Sequence, residues 1–225
     1  MSRLPTSLPN NIELIVHPSA VPVAYHPVIN TVVPLIGDIQ PDISLHLGVA
    51  EGRTYFAVEQ TSQKNVYSLI SDIDGQYFED EEGDQIWGDQ PERLSTALDL
   101  ETVVADWQNR TSEFSWPPWL GSSLRSTALA PSGPVNVRLH DGSLDMQTED
   151  VRWSDNVGIY LCAFIYYASM VEMSRSSVAK QRDTAFMHVP LLQEEEELQL
   201  GVDVTIELVQ SLVASWRAQR AGGEA

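Results

Sequence analysis

Between Val28 and Val49 the apolar residues change their period, and that change restricts the fold more than any other feature of the chain. Val28, Val32, Leu35, Ile36 and Ile39 recur at three and four, one face of an amphipathic helix that must accommodate Pro34 as a kink. After Pro41-Asp42, the run from Ile43 to Val49 is short and apolar, as a buried strand is, and it runs into a Gly-bearing loop. Further β-prone stretches at Ile12 to Val16 and at 54–59 flank this unit, and strand, helix and strand in succession point to an α/β fold.

The last third repeats the alternation. Ser154-Asp155-Asn156-Val157-Gly158 is turn chemistry ahead of a buried helix, and Thr184 to Val189 is a buried strand stopped by Pro190. A closing helix follows, with Val202, Ile206, Val209, Val213 and Trp216 at four, three, four and three. The middle is less regular. A helix is expected from Pro91 to Gln108, Pro117-Pro118 forbids one in Ser115 to Trp119, and Val135, Val137 and Leu139 alternate as a strand. The chain is expected to be one domain, 1–225, with a surface insertion around 76–134.

Charge narrows the partners. Thirteen Lys and Arg against 32 Asp and Glu give a net charge of −19, which repels nucleic acid and anionic membranes. The most apolar window, Ile159 to Val171, is too short for a bilayer that needs about twenty residues, so neither a membrane span nor a secretory signal is expected. A single cysteine cannot form an internal disulfide, which favours a reducing, cytoplasmic location. Metal sites are disfavoured, because the five histidines are scattered and Asp72-Ile73-Asp74-Gly75 puts its glycine at the wrong position for a calcium loop. The acidic runs 79–82 and 194–197 are expected as solvated faces.

Two residues stand out chemically. Cys162 lies among apolar neighbours, where a free cysteine is ordinarily a small core side chain; at the first turn of a helix starting after Gly158 it would instead be an activated thiol. His188 stands at the C-terminal end of an apolar strand, where open α/β sheets place their sites. Together they could form a thiolate–imidazolium pair, with a third group orienting the imidazole.

Three stretches resemble the pyroglutamyl-peptidase I family of cysteine peptidases, in particular its fungal-type members. Gly48-Val49-Ala50-Glu51-Gly52-Arg53 is similar to the family's Gly-x-Ala-Gly-Gly-Arg, and six residues past its arginine the family's catalytic glutamate falls on Glu59. Ser154 to Cys162 is similar to Ser-x-Asp-Ala-Gly-x-Tyr-Leu-Cys, whose cysteine is the nucleophile, and Phe186-Met187-His188-Val189-Pro190 to Phe-x-His-Val-Pro, whose histidine is the general base. The resemblance implies a three-layer α/β/α sandwich of phosphorylase/hydrolase type, no cofactor, and substrates that are peptides with an N-terminal pyroglutamate. Tyr160 and Leu161 are implied as part of the ring pocket. Departures are Glu51 for Gly, Asn156-Val157 for Asp-Ala, Ala163 after the cysteine, and Gln63-Lys64-Asn65 for His-Arg-Asp. Nothing before Ile12 is similar to the family's opening strand and Gly-Phe-Gly-Pro-Phe loop, so the first βα unit is expected to be missing. The alternative is a catalytically inactive relative, or a truncated gene product, with an interaction role.

Overall fold

The computed structural model describes residues 3–88, 90–120, 150–176 and 181–222, with two-residue strands at 137–138 and 144–145. In chain order the elements are β1 (Ser7–Leu8), β2 (Ile12–Glu13), α1 (Tyr25–Ile39), β3 (Ser44–Val49), β4 (Phe56–Glu59), β5 (Thr61–Gln63), α2 (Asp80–Trp87), β6 (Arg93–Ser95), α3 (Leu100–Thr111), β7 (Val137–Arg138), β8 (Leu144–Asp145), β9 (Val151–Ser154), α4 (Leu161–Ser176), β10 (Thr184–Val189) and α5 (Glu195–Gly222). The main sheet has the order β3-β10-β4-β9. Strand β10 runs parallel to β3 and antiparallel to β4, and β4 runs parallel to β9.

Strand β10 is apolar on both faces because both faces are covered. Phe186 points into a core shared with α1 and α4, which includes Val28, Val32, Phe164 and Met170. Ala185 and Met187 point into a second core with α3 and α5, built on Val103, Trp107, Val204, Leu208 and Leu212. The result is an α/β/α sandwich.

Helix α1 starts three residues earlier than its apolar period suggests. Its first N–H, on Tyr25, donates to Asp72 Oδ2 at 3.0 Å, so the cap comes from a distant turn rather than from the preceding residue. Asp72 also accepts the N–H groups of Asp74 and Gln76 at 2.9 Å each, which is the work of the acidic turn that fails as a calcium loop. Pro34 lies on the exposed face of α1, where the carbonyl left without its N–H can turn to water.

Three expectations are corrected. The strand expected over Ile12 to Val16 is confined to Ile12–Glu13, which folds back on Ser7–Leu8 through Asn10 and Asn11, both at positive φ, outside the main sheet. In place of a helix over Pro91 to Gln108 there is β6, paired with β5, and then α3, whose start is fixed by Asp99 accepting the Thr102 N–H at 3.1 Å. The expected surface insertion is integral to the fold from 78 to 111: Phe78, Trp87, Leu94, Val103 and Trp107 are all buried. Residues 121–134 lie outside the described residues, as do 135 and 139 of the strand expected there; Val137–Arg138 pairs with Leu144–Asp145.

Helix α5 has 28 residues and is apolar enough to cross a bilayer by length and composition alone. Its Val204, Leu208 and Leu212 are nevertheless buried against α3 and the sheet. The stripe nearest the core also includes the small residues Gly201, Thr205, Ser211 and Ser215, whereas Val202, Ile206, Val213 and Trp216 of the expected stripe are only half-buried. Close approach, rather than apolar bulk, sets the rotation of this helix.

Candidate active site

His188 is the fifth residue of β10 and Glu59 the last of β4, and both are almost fully buried. Ala57, not Glu59, is the cross-strand partner of His188. A methyl group opposite the imidazole leaves room for Glu59 to reach it diagonally, and Glu59 Oε1 accepts the His188 Nδ1–H at 2.7 Å. This bond directs the other ring nitrogen, Nε2, away from the carboxylate.

On the far side of β10, Gly48 of β3 is the register partner of His188. A Cβ on Gly48 would lie 2.6 Å from the Phe186 ring and 3.1 Å from Cys162 Sγ. The missing side chain is therefore what lets the sulfur and the Phe186 ring approach the sheet beside His188. The Phe186 and His188 rings are 4.8 Å apart, centroid to centroid. Cys162 itself is the second residue of α4, where backbone N–H groups have no intrahelical acceptor.

The electrostatics of Glu59 and Cys162 differ. Burial pushes the Glu59 carboxyl up, but its hydrogen bond to His188 and the charges of Arg53 and His188 outweigh this and hold it below the ordinary carboxylate range. Burial pushes the Cys162 thiol up to about 11, with the Glu59 charge acting in the same direction and Arg53 against it. A helix N-terminus favours the thiolate, yet here desolvation is the larger effect and favours the neutral thiol. Arg53 Nη1 donates to Glu59 Oε1 at 2.7 Å and its Nη2 to the Asn156 carbonyl at 2.6 Å. The Asn156 N–H donates to Glu59 Oε2 at 3.2 Å. Glu51, the extra anion of the loop, is exposed.

The family model for pyroglutamyl peptidase matches residues 9–110. The pyrrolidone-carboxylate peptidase of Pyrococcus furiosus is 22% identical over 158 residues, 70% of this chain and 56% of that protein. The chain is similar to pyroglutamyl peptidases in both comparisons. It spans just over half the length of that curated relative. Crystal structures of the pyrrolidone carboxyl peptidase of Pyrococcus furiosus and its Cys-free mutant share the fold, with a TM-score of 0.57 at 19% identity, covering 88% of this chain and 80% of that one. A point mutant of the same peptidase gives 0.58 at 18% identity with the same coverages.

The remaining expected residues lie around this arrangement. Tyr160 is half-buried, packs edge-on against Tyr25 and donates its hydroxyl to the Ser71 carbonyl at 3.2 Å. Leu161, expected in the ring pocket, is 6% exposed and packs in the core shared with α1. A polar cleft of about 140 Å3 lies alongside, lined by Thr61, Gln63, Arg93, Asp155, Asn156 and Gly158 among others, with neither Cys162 nor His188 in its wall. The histidine nearest in kind, His46, is hydrogen-bonded with Ser169 Oγ at 2.8 Å, and burial pushes it down to about 4, which keeps it neutral. Among the described residues no three His, Cys, Asp or Glu side chains converge as metal ligands. Gly48, Phe186 and Arg53 lie within the quoted motifs, yet sequence reasoning assigned them no part in the site. For Gly48 a signal was available: a glycine inside a strand marks close approach of another group.

Proposed function

We propose that the chain is a cysteine peptidase that removes N-terminal pyroglutamate from peptides. Cys162 Sγ attacks the carbonyl carbon of the pyroglutamyl amide while His188 Nε2 takes the thiol proton. The raised thiol pKa favours proton transfer during attack over a preformed thiolate–imidazolium pair. His188 returns the proton to the leaving amine nitrogen as the C–N bond breaks, leaving a thioester on Cys162. Water, deprotonated by His188, then attacks the thioester, and pyroglutamate and the free thiol are released. Glu59 acts through the imidazole, keeping Nδ1 protonated and Nε2 available. The first-turn amides of α4 are the donors suited to the oxyanion that develops.

The observation that carries this reading is the 2.7 Å bond between Glu59 and His188 on the strand pair beside the Cys162 sulfur. Tyr160, half-buried next to the nucleophile's helix, is the proposed wall for the lactam ring, with Leu161 supporting it from the core. A nucleophile that must stay reduced suits a reducing compartment. The test is hydrolysis of a fluorogenic pyroglutamyl amide by the 225-residue chain, with Cys162→Ala as control. Activity lost in Cys162→Ala is the expected result; a folded wild-type chain without activity would overturn the reading and leave an inactive relative.

A further inference from the structure

Arg53 is held at both ends of its fork. Its side chain is 15% exposed, and its two terminal nitrogens bond a side chain of the sheet and a backbone carbonyl of the turn before α4. Because the Asn156 N–H returns to the other Glu59 oxygen, Arg53, Glu59 and the Asn156 peptide groups close a ring. The loop delivering Arg53 turns through Gly52 at φ 90°, and the turn it grips passes through Gly158 at φ 87° before reaching Leu161 and Cys162.

We propose that Arg53 is a positioning residue for the hydrolysis described above, tying the Glu59–His188 pair to the turn that launches the nucleophile's helix. Two features separate this from a plain ion pair. The contact to Asn156 is with its carbonyl, so the clasp is indifferent to the side chain at 156. A lysine could neutralise Glu59, but a point ammonium cannot reproduce two divergent donors of fixed geometry. The proposal rests on the peptidase reading, yet part of its test is independent of turnover, because Cys162 is the only cysteine and alkylation reports on it alone.

Arg53→Lys and Arg53→Gln would be compared with the wild-type chain by circular dichroism, by pyroglutamyl-amide kinetics and by iodoacetamide alkylation at about pH 9, near the ordinary thiol pKa. The charges acting on the sulfur are those of Glu59 on β4 and Arg53 itself, and the titratable imidazole of His188 lies beside it on β10. In Arg53→Gln, with Glu59 still bonded to His188, loss of the cation makes alkylation slower by about threefold or more, although a merely loosened site would react faster. In Arg53→Lys the alkylation rate is retained, while kcat falls about ten- to hundredfold with KM little changed, as expected for misplaced reacting groups. Wild-type kcat in Arg53→Lys, or an unchanged or faster alkylation in Arg53→Gln, overturns the proposal. If the wild-type chain does not turn over the amide, the peptidase reading falls and alkylation alone decides the role of Arg53. If Arg53→Gln does not fold, Arg53→Lys carries the test.

Discussion

Glu59 and His188 are joined at 2.7 Å across two antiparallel strands although they are not register partners; the partner of His188 is Ala57. The bond is diagonal, and its existence depends on the small residue between them.

That bond fixes a tautomer, so replacing the carboxylate with an amide tests it directly. In Glu59→Gln the imidazole loses its anionic acceptor, and kcat on a pyroglutamyl amide is expected to fall by about 10²–10⁴-fold. The same change strands the Arg53 guanidinium, at a stability cost of roughly 3–5 kcal/mol if the pair behaves as buried. Kinetics and urea denaturation of the variant separate the two effects. A loss of stability with kcat intact would remove Glu59 from the mechanism.

Glu59 also sets an acid limit. Its carboxyl is held below the ordinary range in the fold, so its contribution is fully present above the unfolded value of about 4.3 and is lost as pH falls through the depressed folded value. The stability difference between wild type and Glu59→Gln is expected to be constant from neutral pH down to about 5 and to shrink below about 4. Denaturant midpoints measured across that range check it; a difference that shrinks near neutral pH would contradict it.

The thiol sets the opposite limit. With Cys162 pushed up to about 11, its alkylation by iodoacetamide should climb through the alkaline range instead of levelling near neutrality. Linkage gives the sign. The fold prefers the neutral thiol, so stability is untouched below the unfolded value of about 8.5 and declines as pH rises from there toward the folded value. Cys162→Ala should lack that decline. An alkylation midpoint near 7 would show that the helix N-terminus outweighs burial.

Gly48 is a steric requirement. A methyl group there meets the Phe186 ring at 2.6 Å, and the ring stands between the sheet and α4, so Gly48→Ala should cost about 1–3 kcal/mol and displace the sulfur. Pairing it with Phe186→Leu opens the same space, and the double variant is expected to recover part of the stability. Strict additivity in thermal melts of the four proteins would mean that the two positions do not touch.

What was legible in the sequence was local. Strand β10 and the start of α4 announce themselves by apolar runs with stops beside them, and Cys162, His188 and Glu59 were picked out by motif. What was not legible depends on chain separation. The Asp72 cap on α1 spans 47 residues and the Arg53 bond to Asn156 spans 103. The helix expected from Pro91 failed because Asp99 is a capping residue that a count of apolar spacing passes over. Helix α5 is turned on its axis relative to its apolar stripe because glycine, threonine and serine permit close contact that hydrophobicity does not register.

Strand β3 is fastened on one side only among the described residues. The Ser44 amide donates to the Asp183 carbonyl just before β10, and the Ala50 amide, just past the end of β3, to the Val189 carbonyl of β10; in a parallel ladder the intervening alternate amides of Leu45, Leu47 and Val49 face away from that neighbour. Leu47 and Val49 are 47% and 58% exposed. Their amides therefore exchange with deuterium well ahead of those of β10, and the glycine that seats the sulfur rides on the part of the sheet that breathes first.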